Sequence, residues 1–127
     1  MKQRKVLLIE DDEPLRTLYK EIFRHNNFEV VEAADGQTGV DMALMHLPDI
    51  IILDLMLPRQ GGLGALRVFR SLPECRHTPI FILTALPNPQ YQEMAKGRVE
   101  GYFLKTQVTP QQLVDQALKF LNKKAGK

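Results

Sequence analysis

Six side chains could do chemistry together in this 127-residue sequence: Glu10, Asp11 and Asp12 in one run, then Asp54, Thr84 and Lys105 far apart along the chain. Each follows a short apolar run: Val6-Leu7-Leu8-Ile9, Ile50-Ile51-Ile52-Leu53, Ile80-Phe81-Ile82-Leu83 and Tyr102-Phe103-Leu104. If those runs are strands of one sheet, the polar residues collect at its carboxyl rim, where open α/β sheets place their sites. Carboxylates brought close repel one another and take up protons unless compensated. Lys105 is one compensator. A hard divalent cation is another, and carboxylates with backbone carbonyls are the ligands Mg2+ prefers. Such a metal keeps positions open for phosphoryl oxygens. Asp54 then becomes a nucleophile able to form an acyl phosphate, with charge neutralised by Lys105 and the metal. The Thr84 hydroxyl can donate to a phosphoryl oxygen.

Taken singly these residues say little. An Asp after a strand also serves as a turn residue or helix cap, and Asp12, one step before Glu13-Pro14, reads as a cap. A lone Thr84 would be a turn former and a lone Lys105 a solvated charge. Four strand ends together carry what none carries alone.

The positioning elements follow from periodicity. Leu15, Leu18, Tyr19, Ile22 and Phe23 fall on one face of a helix over 13–26. Pro14 suits its first turn and Asn26-Asn27 a left-handed stop. A strand is expected over 28–33, a turn at Asp35-Gly36, and a helix over 38–46 with Val40, Ala43, Leu44 and Leu47 inward. The runs at 50–53 and 80–83 lack alternation, as in strands buried on both faces. Pro58, Gly61 and Gly62 mark a loop before a helix over 63–71, and a short helix is expected over 90–96. Thr109-Pro110 caps a last helix with Leu113, Val114, Ala117, Leu118 and Leu121 inside. Strands separated by helices must run parallel with right-handed crossovers, so five β-α units give an open sheet with helices on both faces.

Composition sets the bounds. The length suits one domain, and 44% hydrophobic with 25% charged residues suits a globular fold. A net charge of +2 does not ask for nucleic acid; Lys2, Arg4, Lys5, Lys119, Lys123, Lys124 and Lys127 read as solvated ends. Cys75 is the one cysteine, which excludes an internal disulfide and fits a reducing compartment; it reads as a loop-side filler. His25, His46 and His77 have no zinc spacing, and the methionines read as core filler. No stretch can span a bilayer, and the apolar run stopping at Glu10 is too short for a signal peptide. A cytoplasmic location is expected.

The runs Val6-Leu7-Leu8-Ile9-Glu10-Asp11-Asp12, Ile50-Ile51-Ile52-Leu53-Asp54-Leu55-Met56-Leu57-Pro58, Ile82-Leu83-Thr84-Ala85 and Tyr102-Phe103-Leu104-Lys105 together resemble the CheY-like receiver domain of two-component response regulators. The resemblance covers nearly the whole chain, in family order and at close to family spacing. It implies a flavodoxin-like (βα)5 fold with strand order 2-1-3-4-5. It also implies one receiver domain over residues 1–127, with an ordered core over about 4–124. Asp54 is then the phosphoacceptor. Asp11 and the Met56 backbone carbonyl bind Mg2+ with Asp54, and Glu10 assists through water. Thr84 and Tyr102 form a switch pair, and Lys105 pairs with the phosphoryl group. The implied partners are a sensor histidine kinase or histidine phosphotransfer protein and an unidentified target or output domain, with no membrane or nucleic acid bound directly. The module catalyses its own phosphorylation and dephosphorylation but is not a turnover enzyme.

This sequence departs from the family in three places. Thr106 follows Lys105 where proline is usual, and a non-proline cis bond costs about 3 kcal/mol, so a trans or reshaped loop is expected. The stretch from Thr84 to Lys105 is about one residue short and carries Arg98-Val99-Glu100-Gly101 where small residues are customary; a short or displaced fourth helix is expected. Met56 and Leu86 occupy positions that tune hydrolysis in relatives, and neither side chain can orient water, so a long-lived phosphoryl group is expected.

Other functions fit less well. A flavodoxin-like cofactor binder wants a Ser/Thr/Gly-rich cradle after strand one, where this chain has three acids. The dinucleotide and P-loop fingerprints are absent, and an acid-nucleophile phosphatase carries a second Asp where Met56 stands. The remaining alternative is a degenerate receiver that only docks proteins. The lysine loop favours it; retention of Asp11, Asp54, Thr84 and Lys105 opposes it.

Overall fold

Strands apolar on both faces need a helical layer on each side, and ten alternating elements supply it. They are β1 (Arg4–Ile9), α1 (Glu13–His25), β2 (Phe28–Ala33), α2 (Gly36–His46), β3 (Ile50–Asp54), α3 (Gly61–Ser71), β4 (Ile80–Thr84), α4 (Pro89–Ala95), β5 (Gly101–Leu104) and α5 (Pro110–Ala125). The structure is a computed structural model that describes residues 3–57, 61–85 and 87–126; Pro58 and Leu86, like the terminal Lys2 and Lys127, lie outside the described residues. The five strands are all parallel in the order β2-β1-β3-β4-β5, the flavodoxin-like arrangement.

Alternation sorts the strand residues into two cores. Leu7, Ile9, Ile51, Leu53, Ile80 and Ile82 face the side covered by α2, α3 and α4. Val6, Leu8, Ile50, Ile52, Phe81 and Leu83 face α1 and α5, where Tyr19, Phe23, Leu113, Val114 and Ala117 close the layer. Each fully buried Ile or Leu contributes about 1.5–3 kcal/mol, which fixes strand register and so the height of each strand's last residue.

The caps match their residue types. Asp12 caps α1 by accepting from Leu15 N–H at 3.1 Å, and Asn27 follows the helix at φ 68°. In α5, Gln112 N–H donates to Thr109 Oγ1 at 3.1 Å, and Gln112 Oε1 accepts from Thr109 N–H at 2.9 Å, a closed capping box. Helix α4 is short, seven residues beginning at Pro89, as Pro87, Pro89 and the shortened stretch imply. Glu100, where small residues are customary in the family, accepts from Ile80 N–H at 2.7 Å and from Arg70 Nη2 at 3.1 Å. It thereby holds the starts of β4 and β5 to α3.

Several expectations are corrected. Helix α2 begins at Gly36, capped by Asp35, whose side chain accepts from Thr38 N–H at 2.8 Å. Its inner face is Gly36, Gly39 and Ala43, while Leu44 and Leu47 are exposed. At Gly39 an added Cβ would sit 2.6 Å from Ile9 Cδ1, so a larger residue there would make the Ile9 side chain shift. Leu18 shares the α1 stripe but is 47% exposed. Met45, Met56 and Met94 are exposed rather than core filler. Leu104 and Phe103 are half-buried at the edge strand, and the Phe103 ring meets Phe81 tilted by 54°, with centroids 5.2 Å apart. Cys75 is buried, and burial pushes its thiol pKa up, as suits a packing residue.

Helix α3 begins at Gly61, not after the glycines. Gly61 has φ +72°, a conformation that favours glycine. A Cβ on Gly62 would meet Asp54 O and Leu55 Cα at 2.4 Å, so the backbone behind Asp54 packs directly on this helix start. Gly62→Ala is expected to cost about 2 kcal/mol or more through overpacking. Gly36→Ala, with its nearest contact at an ordinary 3.4 Å, is the tolerated control. Thermal unfolding of the two variants checks this.

A charged cluster ties α1 to β2. Glu32 accepts from Arg16 Nε at 3.0 Å and pairs with Lys20 Nζ at 2.9 Å. Burial alone would raise the Glu32 pKa, but the bonds from Lys20 and Arg16 outweigh it and hold the carboxyl below its ordinary value. With the folded value depressed, the stabilisation is present above about pH 4.5, the unfolded range, and is lost as pH falls through the folded value. Glu32→Gln is therefore expected to flatten the fall in stability below about pH 5, measured by denaturant unfolding across pH.

Candidate functional site

Each site residue sits where a strand runs out. Asp54 and Thr84 are the last residues of β3 and β4, and Glu10 and Lys105 directly follow β1 and β5. The ladder continues past the strand ends: Glu10 N–H donates to Ala33 O at 3.0 Å and Lys105 N–H to Thr84 O at 2.8 Å. The neighbouring pairs β1–β3, β3–β4 and β4–β5 then bring four distant stretches to one rim.

The acids converge. Glu10, Asp11 and Asp54 each offer a carboxylate oxygen within 4.8 Å of the others. Glu10 and Asp54 are buried and Asp11 is exposed, so the cluster is a buried floor with one carboxylate at its mouth. Asp12 points away as the α1 cap and is no part of it. Asp54 Oδ1 accepts from Met56 N–H at 2.9 Å, and Oδ2 accepts from Lys105 Nζ at 3.2 Å. The same ammonium lies 2.7 Å from Glu10 Oε1, and Glu10 Oε2 accepts from Asp12 N–H at 3.1 Å.

Electrostatics follow the geometry. Burial pushes the Glu10 pKa up; the Lys105 contact opposes this, and the Asp54 charge adds to the rise. Burial alone would lower the Lys105 pKa, but Glu10 and Asp54 outweigh it and keep it above the usual lysine value. The ammonium is thus firmly charged and shared between two carboxylates. No cis peptide bond occurs among the described residues, so Lys105 reaches the acids across a trans bond to Thr106.

Two hydroxyls are buried with no hydrogen-bond partner among the described residues: Thr84 Oγ1, at the rim end of β4, and Tyr102 Oη, on β5. A buried hydroxyl without a partner is costly and marks where an acceptor belongs. Tyr102 is half-buried and packs against the α2-α3-α4 core. It also lines a groove of about 560 Å3 with Pro89, Phe103, Gln112 and Gln116 between α4 and α5, away from the acids. Met56 has its side chain exposed beside Asp54.

Sequence reasoning missed Arg16. Its Nη1 donates to the Glu10 carbonyl at 2.8 Å, from a helix face shared with Lys20 at i+4. That cationic pair, one turn past the acids, was the available signal.

Comparison with known proteins agrees with this geometry. Residues 6–118 match the family model of the response regulator receiver domain. The chain is 37% identical over 94 residues to the transcriptional regulatory protein PdtaR of Mycobacterium tuberculosis, covering 73% of this chain and 44% of that protein. It is 41% identical over 80 residues to the response regulator ArlR of Staphylococcus aureus, covering 63% of this chain and 35% of that one. The chain therefore spans less than half the length of these curated relatives. Among solved structures it superposes on the chemotaxis response regulator CheY4 of Vibrio cholerae with a TM-score of 0.84 at 25% identity, over 93% of this chain and 98% of that one. Among the described residues no helix is long and apolar enough to cross a membrane. Family match, strand order and acid-lined rim agree: the chain belongs to the response regulator receiver domains of two-component systems.

Proposed function

We propose that this chain accepts a phosphoryl group on Asp54 from a phosphohistidine of a sensor kinase or histidine phosphotransfer protein, and signals by a change of shape. The carrying observation is the shared floor: Asp54 lies within 4.8 Å of Glu10 and Asp11 and in contact with Lys105, next to a Thr84 hydroxyl that has no partner among the described residues. In the transfer, an Asp54 carboxylate oxygen forms the new P–O bond. The P–N bond of the donor breaks, and the imidazole leaves with the electron pair and takes a proton. Alignment and charge neutralisation suffice for this chemistry.

The donor set fits a hard divalent cation: all-oxygen, partly buried and richer in negative charge than one ammonium offsets. Asp11, Asp54 and the Met56 carbonyl would hold Mg2+, with Glu10 assisting, and the ion would supply positive charge beside the phosphoryl oxygens. Lys105 would pair with the phosphoryl group from the other side. The Thr84 hydroxyl would gain an acceptor, and Tyr102, whose hydroxyl also has no partner among the described residues, would respond behind it at the α4–α5 groove. Residues 1–127 would act as one receiver domain in the cytoplasm, as a signalling module rather than a turnover enzyme, with a target or output domain as the recipient. The reach of Lys105 to Asp54 across a trans bond weighs against a docking-only module.

Incubation with a small-molecule phosphodonor and Mg2+ should add one phosphoryl group by intact mass, and Asp54→Asn should add none. An unmodified wild type would refute the proposal. The adduct should decay over minutes rather than seconds after donor removal, because the Met56 thioether cannot orient water. Met56→Asn, with an amide that can, should shorten its life several-fold; equal decay in both proteins would remove Met56 from the explanation.

A further inference from the structure

The β1–α1 turn must present two adjacent acids that repel each other; the Glu10 side chain braces the following peptide by accepting from Asp12 N–H at 3.1 Å, but neither acid's side chain bonds the peptide between them. That peptide is held from outside. Arg16 Nη1 donates to the Glu10 carbonyl at 2.8 Å, the oxygen of the peptide joining Glu10 to Asp11. Its Nε donates to Glu32 Oε1 at 3.0 Å. Glu32 stands in register with Leu8 on the neighbouring strand, and its second oxygen is held by Lys20 at 2.9 Å. The guanidinium is mostly buried, with 15% of the side chain exposed, and borders the small void shared by Glu10, Tyr19 and Asp54.

We infer that Arg16 is a positioning residue for cation binding: clamped by Glu32, it fixes the Glu10–Asp11 peptide so that both carboxylates meet Asp54. This rests on the Mg2+-dependent reading above. A planar fork suits the task because it bonds a carbonyl and a carboxylate at once, in fixed relative directions; an ammonium keeps the charge but not the geometry. The Arg16 charge also draws the carbonyl dipole away from the floor, so the Glu10 oxygen is not turned toward the carboxylates. Lys20 offers an internal control. It binds the same Glu32 carboxylate, on the same helix, and is not among the donors to the acidic turn.

Mg2+ binding to the unphosphorylated protein, measured by calorimetry, tests this without any turnover. Arg16→Lys is expected to weaken Mg2+ binding about tenfold, the usual scale for losing a group that orients metal ligands. Glu32→Gln should give a smaller loss of the same sign, and Lys20→Met none, although each removes part of the ion cluster and lowers thermal stability. Amide exchange at Asp11 should quicken in Arg16→Lys and not in Lys20→Met. With a phosphodonor, Arg16→Lys should raise the half-saturating Mg2+ concentration and leave the Mg2+-saturated rate unchanged, a split that general destabilisation does not produce. The inference is overturned if folded Arg16→Lys binds Mg2+ as the wild type does, or if Lys20→Met weakens binding equally. If Arg16→Lys does not fold, Glu32→Gln decides on the same two readouts. Wild type that binds Mg2+ and accepts phosphoryl beside an unaffected Arg16→Lys leaves the functional reading standing and removes only this one; wild type that binds no Mg2+ removes both.

Discussion

One ammonium group between two buried carboxylates is the constraint on which the rest depends. Lys105 lies 2.7 Å from Glu10 and 3.2 Å from Asp54, and the third acid, Asp11, shares the same cluster. Burying charge without compensation is among the costliest things a fold can do. One positive charge among three negative ones leaves the floor short of compensation, and burial, with the Asp54 charge adding to it, pushes the Glu10 pKa up. A site left in that condition favours any group that brings positive charge to it. Lys105 therefore has two roles that need not conflict: it makes the acid cluster tolerable in the resting fold, and it stands ready beside the oxygen that would carry a phosphoryl group.

The fold delivers this arrangement cheaply because its topology gathers strand ends. Helices α1 and α5 cover one face, and α2, α3 and α4 the other. The crossovers part between β1 and β3, neighbours in the sheet, leaving a gap at the rim. Register locks the heights: Ile9 opposes Leu53, and Asp54 opposes Leu83. Slipping any of these strands would move apolar residues between two separate cores, so the same hydrophobic burial that stabilises the sheet also holds the acids level. Gly62 completes the support, since its bare backbone lets α3 pack against the carbonyl of Asp54.

How much was legible beforehand depended on whether a feature was local. The runs at 6–9, 50–53 and 80–83 announced strands, and the polar residues after them announced the rim, because both signals lie in neighbouring residues. The starts of α2 and α3 were missed because Gly36, Gly61 and Gly62 resemble turn residues; only the positive φ of Gly61 and the packing of Gly62 against the Asp54 backbone show why glycine opens α3. Leu18, Leu44 and Leu47 were assigned inward because apolar periodicity cannot say where a helix stripe ends. The Arg16–Glu32 pair forms only once α1 packs against β2, so the local pattern could show the cations Arg16 and Lys20 but not the carboxylate that clamps them.

The lysine loop shows the same logic in reverse. Thr106 replaces the proline that usually follows this lysine, so the sequence alone predicts a trans or reshaped loop there. In the structure the aim of the side chain comes from what precedes the lysine. Lys105 N–H extends the β4–β5 ladder by donating to Thr84 O, and Gln107 N–H closes a turn onto Leu104 O at 2.9 Å. A backbone fixed on both sides leaves the residue type after Lys105 little to decide. The Glu10 and Asp54 carboxylates then draw the flexible ammonium the remaining distance. A proline would be one way of aiming the lysine; a ladder carried one residue past the strand, with two carboxylates at its end, is another.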